Sequence, residues 1–250
     1  AMSWSLGSLR MPDQLAQFLH LPERCRRTVF PIRALRYWYV AQSIKAFAGE
    51  RQGGINVCEI GINVGEMRRF YRHYCEVEGQ LENIGKWDGV DVDISRAPEK
   101  LYSSLCQHDL NADKPLPTSG YDAVVLLHVL EHLTDPESVF DRVCETLVPG
   151  GIVVGGFPST PNFLLQWKQR RLRKTARPFG HVSCFSHSRT VQLAERLGLE
   201  ICYLSCGFIL RQSGSPLENF EWWARGNIVA GALCRSFPTE LVWCFQKPLR

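Results

Sequence analysis

The sequence predicts an α/β domain with a mostly parallel, doubly wound sheet, preceded by a helical N-terminal extension. Three observations predict it. Short apolar runs alternate with helical stretches from residue 55 onward, and strands separated by helices pair in parallel through right-handed crossovers. The first run ends in the glycine turn Gly61-Ile62-Asn63-Val64-Gly65, where a strand gives way to a helix. Later, Pro149-Gly150-Gly151 stops a helical stretch and another apolar run follows at once.

In chain order, residues 11–49 read as helices. Pro31 opens one of them, and Ile32, Leu35, Trp38, Tyr39 and Ile44 give it an apolar face. Gly49 and Gly53-Gly54 close it. Ile55–Ile60 reads as a buried parallel strand, followed by a helix over 64–78. Gly89–Asp93 and Leu105–His108 are the next short strands, and Tyr121–Leu127 is the clearest one. Pro136–Leu147 is helical, with Asp135 as N-cap and Pro136 at the first position. Ile152–Phe157 is a fifth strand, 188–197 a helix, and 199–205 and 240–246 are β-rich. No linker divides the chain. The expected organisation is an extension over 1–50 and a domain over 51–250, with substrate-facing insertions near 158–187 and 211–236.

A length of 250 residues is enough to bury a sizeable core, and 45% hydrophobic with 22% charged residues is the balance of a soluble globular protein. The net charge of +4 does not indicate a nucleic-acid binder. Ten cysteines occur without a CxxC pair, scattered through apparent core segments such as those of Cys58, Cys144 and Cys202. They read as buried free thiols of a reducing compartment. No stretch has the length of a signal peptide core or a membrane span. A cytoplasmic location is expected, and Ala1-Met2 reads as a tag remnant.

Glycine at the end of the first strand lets a ligand approach the backbone closely, and this edge of such a sheet is where nucleotide-type ligands bind. The dinucleotide pattern GxGxxG fails, with Asn63 and Glu66 at the second and third glycine positions, which argues against a nicotinamide cofactor. Gly89-Val90-Asp91-Val92-Asp93 ends the second strand, and an acid there can accept from both ribose hydroxyls. Asp109, in Gln107-His108-Asp109-Leu110, can accept from an adenine amino group.

In order, these segments resemble class I S-adenosylmethionine-dependent methyltransferases over about 55–157, with weaker similarity to 205. EIGINVG resembles the family's first motif, GVDVD its ribose-binding acid and HDL its adenine-binding step. The stretch YDAVVLLHVLEHLTDPESVFDRVCETLVPGGIVVGGFP resembles the fourth and fifth strands with their helix. GHVSCFSHSRTVQLAERLGLEI resembles the small-molecule and glycan branch. The resemblance implies a Rossmann-like, seven-stranded sheet with an antiparallel C-terminal strand, S-adenosyl-L-methionine as cofactor and S-adenosylhomocysteine as product. It implies that Glu59, Gly61 and Gly65 border the methionine moiety, with Asn63 replacing the middle glycine. Asn tolerates left-handed φ, so the turn can survive. Asp91 would hold the ribose and is favoured over Asp93. Asp109 and Leu110 would hold the adenine, and His128 would lie near the reacting methyl.

His128-Val129-Leu130-Glu131-His132 spells the inverted zinc-protease motif HxxEH. It directly follows a buried strand and is cut off by Thr134-Asp135-Pro136, so it reads as a turn beneath the cofactor, and no metal is expected. Between Lys168 and Arg177 lie six cations and no acid. They read either as a solvated face or as a positive rim that attracts an anionic acceptor. Trp167, Trp222 and Trp223 could add stacking. For an oxygen nucleophile the candidate general bases are His128 and His181. The expected reaction is O-methylation of an anionic or sugar-containing small molecule, with acidic membrane surface as another attracted partner. The alternatives are a noncatalytic cofactor-binding partner protein and methyl transfer to nucleic acid or protein.

Overall fold

The computed structural model describes residues 15–112, 114–175, 180–206, 212–234 and 239–249. Its elements are α1 (Glu23–Arg26), α2 (Ile32–Gly49), β1 (Ile55–Ile60), α3 (Glu66–Val77), β2 (Ile84–Asp91), β3 (Ser104–Gln107) and β4 (Tyr121–Leu127), then α4 (Pro136–Glu145), β5 (Leu147–Pro158), α5 (Asn162–Lys174), α6 (His187–Arg196), β6 (Glu200–Cys206), α7 (Glu221–Leu233) and β7 (Glu240–Gln246). The seven strands form one sheet in the order β3-β2-β1-β4-β5-β7-β6. Pairing is parallel from β3 to β5, and β7 runs antiparallel to both β5 and β6.

Strand alternation builds the two layers. Val57, Ala123, Val125, Ile152, Val154, Val242 and Cys244 pack under residues of α2, α3 and α7 on one face. Cys58, Ile60, Val124, Leu126, Val153, Trp243 and Phe245 face α4 and α6 on the other. A two-residue side-chain period with both faces apolar is what a central parallel strand requires. Gly155 leaves no room for a side chain: a Cβ there would stand 2.1 Å from the Leu126 carbonyl oxygen and 2.7 Å from the Trp243 ring.

Most boundaries shift by one or two residues, and four differences are informative. The N-terminal helices are interrupted: a single 3₁₀ turn at Leu15–Phe18 and the short α1 precede α2, because Pro22 and Pro31 lack the amide a continuous helix needs. Residues 11–14 lie outside those described. β2 starts at Ile84 and stops at Asp91. Its first half escapes an apolar-run reading because Asp88 is buried, accepting from Tyr121 Oη (2.9 Å) and Ser104 Oγ (2.8 Å). β5 starts at Leu147, and Pro149-Gly150-Gly151 form an irregularity within it. The helix before it ends at Glu145, opened by Asp135 accepting from Ser138 N at 3.2 Å.

Strand direction places the chemistry. Pro158 pairs with Glu240 and Leu241 with Cys206, so the ends of β5 and β6 and the start of β7 share the carboxyl edge of β1, β2 and β4. Both expected insertions leave from that edge. The first contains α5, and the second contains a 3₁₀ turn at Pro216–Asn219 and α7. Among the described residues the cysteines are free thiols, six of them buried, and no helix is long and apolar enough to cross a membrane.

Candidate functional site

The turn after β1 is shaped by its backbone. Gly61 has φ +79°, and a Cβ there would lie 2.5 Å from Val129 Cγ2, so only glycine lets the turn pass beneath the β4 loop. Its amide donates to Val90 O at 2.8 Å, tying the turn to β2. Asn63 takes φ +46°, the left-handed conformation its side chain tolerates. The Asn63 amide donates to Asp91 Oδ2 at 2.8 Å, and the Asp93 amide to Oδ1 at 3.2 Å. The carboxylate at the end of β2 is thereby aimed across the glycine turn.

A cavity of about 530 Å³ opens there, within the range of small-molecule sites. Gly61, Asn63, Asp91, Asp109, Leu110 and His128 all line it, so six of the residues singled out in the sequence meet at one place. A smaller cavity of about 190 Å³ adjoins it across Ile60, Gly61, Asn63 and His128. It is bordered by Glu59, Arg36, Tyr37 and Glu66. Gly65 lines neither cavity and caps α3 instead. Asp93 also lies outside both, and its carboxylate accepts from Ser95 N at 2.9 Å.

Glu59 is buried, accepting from Trp87 Nε1 at 3.0 Å and Tyr102 Oη at 3.2 Å. Burial disfavours its charge more than these donors favour it, and its pKa is pushed up to about 8.

His128 separates the two cavities. It follows β4 directly, and its φ of +58° is unusual for a residue with a side chain. Two carboxylates hold the ring: Glu131 Oε1 lies 2.9 Å from Nδ1, and Glu240 Oε1 lies 3.1 Å from Nε2. Arg36 Nε reaches the same Glu240 oxygen at 3.2 Å. An imidazole can donate to two carboxylates only when both nitrogens carry protons. Burial and Arg36 oppose that charge, but the hydrogen bonds to Glu131 and Glu240 prevail and raise the His128 pKa.

His181 lines neither cavity. It is exposed beside His132, ring centroids 4.8 Å apart and edge-on. Partial desolvation, with His132, His128 and Lys168 nearby, holds its pKa below the ordinary histidine value. The HxxEH stretch forms a turn at Leu130–His132 rather than a long helix.

Sequence reasoning missed Arg36, Glu240 and His108. His108 lines the main cavity, and its buried Nε2 has no partner among the described residues. An acid opening the otherwise apolar ELVWCFQ strand was the available signal for Glu240.

The sequence matches the family model described as "Methyltransferase domain" over residues 32–204. The chain belongs to this methyltransferase family. It is an S-adenosylmethionine-dependent methyltransferase, with S-adenosylhomocysteine as product. The cavity fits such a cofactor in size and chemistry: it offers a carboxylate, apolar walls and a buried imidazole nitrogen with no partner among the described residues. No curated protein matches the sequence. Similar solved structures include an S-adenosylmethionine-dependent methyltransferase from Mesorhizobium loti (TM-score 0.56, 16% identity, covering 82% of this chain and 96% of that one). The N-methyltransferase NodS from Bradyrhizobium japonicum with S-adenosylhomocysteine aligns at TM-score 0.53 and 18% identity, covering 94% and 95%. A Haloferax volcanii protein in complex with the Trm112 methyltransferase activator gives 0.51 and 17%, covering 85% and 90%.

The methyltransferase's Glu59 has a measurable signature. Its folded pKa of about 8 stands above the ordinary 4.5, so between those values the unfolded chain binds fewer protons. Stability therefore falls as pH rises through this window. Glu59→Gln keeps an acceptor for Trp87 and Tyr102 and removes the charge. Urea unfolding at pH 5 and pH 8 is expected to show the variant gaining on the parent as pH rises. Equal pH slopes would contradict the buried, protonated carboxyl.

Proposed function

We propose that Asp91 holds the cofactor ribose, that Asp109 and Leu110 hold the adenine, and that the Glu59–Gly65 turn borders the methionine moiety. The support is that the adenosine-end residues share one cavity with the glycine turn, while Asp93 faces away. The bound cofactor supplies an electrophilic methyl group. The protein's part is to align the acceptor with it and exclude water. Asp91→Ala is expected to weaken S-adenosylhomocysteine binding by roughly 1–3 kcal/mol through loss of charge-assisted hydrogen bonds. Calorimetry on the folded variant checks this, and unchanged affinity would remove Asp91 from the role.

The acceptor, in this reading, is an anionic, sugar-containing small molecule methylated on oxygen. One observation carries it. Helix α5 presents Lys168, Arg170, Arg171, Arg173 and Lys174 without an acid, and its inner face is docked on the segment that follows His181. Gln169 Nε2 donates to Val182 O at 2.6 Å, and the Cys184 amide donates to Gln169 Oε1 at 2.9 Å. That segment in turn donates to Glu131 O through Val182 N and Ser183 N. In this reading the positive helix overhangs the edge of the cavity at His132. Arg177, the last cation of the stretch, lies outside the described residues. His128, engaged at both nitrogens, orients the wall between the cavities. His181 is the histidine on the acceptor side.

Labelled methyl transfer to a panel of neutral sugars, hexuronates, sugar phosphates and amines tests the reading, with products identified by mass spectrometry. Label is expected in an anionic sugar as a methyl ether. Charge reversal at Arg170, Arg171 and Arg173 should lower its kcat/KM, and added salt should imitate the reversal. Label appearing only in neutral or amine acceptors, or indifference to the triple reversal, would overturn it.

A further inference from the structure

Beside the cofactor cavity lies a cluster that the methyl-transfer reading leaves unused. Glu131, His132 and His181 each offer a ligand atom, and the three atoms lie within 4.8 Å of one another. We propose that Glu131, His132 and His181 form a binding site for a divalent transition-metal ion of the zinc class, open toward the acceptor.

The carboxylate is the central observation. The Glu131 side chain is 2% exposed. Both of its oxygens are buried without a hydrogen-bond partner among the described residues, and Oε1 alone has a cation beside it, His128 Nδ1 at 2.9 Å. An orphaned buried carboxylate oxygen carries a large desolvation cost unless a cation meets it. His132 is oriented for that ion: Nδ1 lies 3.1 Å from Gly180 O, which fixes the proton on Nδ1 and leaves the Nε2 lone pair free. A histidine that donates its other nitrogen to a carbonyl is the usual outer arrangement of a metal ligand. The third ligand is delivered by the backbone. Val182 N and Ser183 N donate to Glu131 O at 2.9 and 3.0 Å, and Ser183 Oγ donates to Leu133 O at 2.8 Å. These bonds clamp the His181 segment onto the Leu130–His132 turn. Rotation of the exposed His181 ring closes the set toward the roughly 2.0–2.2 Å bonds that zinc makes to nitrogen and oxygen.

The ligand set differs from the one HxxEH spells. That motif requires both of its histidines, but both nitrogens of His128 are taken by carboxylates, Nδ1 by Glu131 itself and Nε2 by Glu240. His132 takes a partner 49 positions later in the chain instead. Two histidines and one carboxylate leave at least one coordination position, as in open catalytic zinc sites. His132 also lines the main cavity, so the site borders the cofactor cavity, and on this proposal its open position is the one an acceptor would take. An ion there would bind an acceptor oxygen and lower its pKa, releasing the hydroxyl proton to solvent before transfer. This part rests on the oxygen-acceptor reading; the metal site itself does not.

The full chain, stripped with chelator and dialysed, is titrated with zinc by calorimetry, and with cobalt to read the visible spectrum of the bound ion. One ion per chain is expected, at micromolar affinity or tighter. His181→Ala, a substitution at an exposed position, should weaken it on the order of a hundredfold or more, beyond what loss of an outer-shell partner produces. Glu131→Gln should do the same. S-adenosylhomocysteine affinity is measured on the same samples and should not change in His181→Ala. Substoichiometric zinc, or His181→Ala binding as tightly as the parent, overturns the site. Zinc binding at full stoichiometry with no cofactor binding contradicts the functional reading and leaves the site standing.

Discussion

The site depends on a buried ionic chain that runs Arg36–Glu240–His128–Glu131. Its members come from α2, the start of β7, the residue after β4 and the turn beyond it. The Glu240 side chain is fully buried, and that of Arg36 is 12% exposed. Two cations and two anions alternate, so each charge meets an opposite one where water is scarce. Such a chain is poor evidence for net stability, because desolvation consumes much of the attraction. Its contribution is to tie α2, the start of β7 and the turn after β4 to one another through paired charges. His128 pays for its left-handed backbone out of this clamp, and the wall between the two cavities stands where the clamp puts it.

That constraint explains how much of the molecule could be read from its residues. The strands were legible because buried parallel strands carry uninterrupted apolar runs, as at residues 123–127. The adenosine end of the cavity was legible because its residues follow strand ends in sequence: Gly61 after β1, Asp91 closing β2, Asp109 just after β3. Local sequence fixes local geometry there, including the positive φ of Asn63. The wall between the two cavities was not legible. Glu240 meets His128 across 112 positions, and the antiparallel insertion of β7 between β5 and β6 is what brings them together. No periodicity reports that.

The HVLEH segment shows the same division. Its position after a buried strand correctly reads as a turn. What the turn gathers is tertiary: Glu131 receives two amides from residues 182 and 183, and His132 meets His181. The basic run shows it too. Charge alone leaves a solvated face and a rim equally open, and the docking of Gln169 onto 182–184 is what sets α5 beside the segment that follows His181. On the proposed reading, cofactor recognition lies in contiguous motifs and acceptor recognition is assembled from distant segments, as expected when one fold serves many reactions.

The central claim is that the ionic chain energetically couples α2 to the last strand through the site wall. A double-mutant cycle on Arg36→Met and Glu240→Gln, read by urea unfolding, tests it most directly. The two substitutions are predicted to be non-additive by roughly 1–3 kcal/mol, the coupling expected of contacting members of one buried network. Additivity within about 0.5 kcal/mol, the behaviour of independent sites, would contradict the claim.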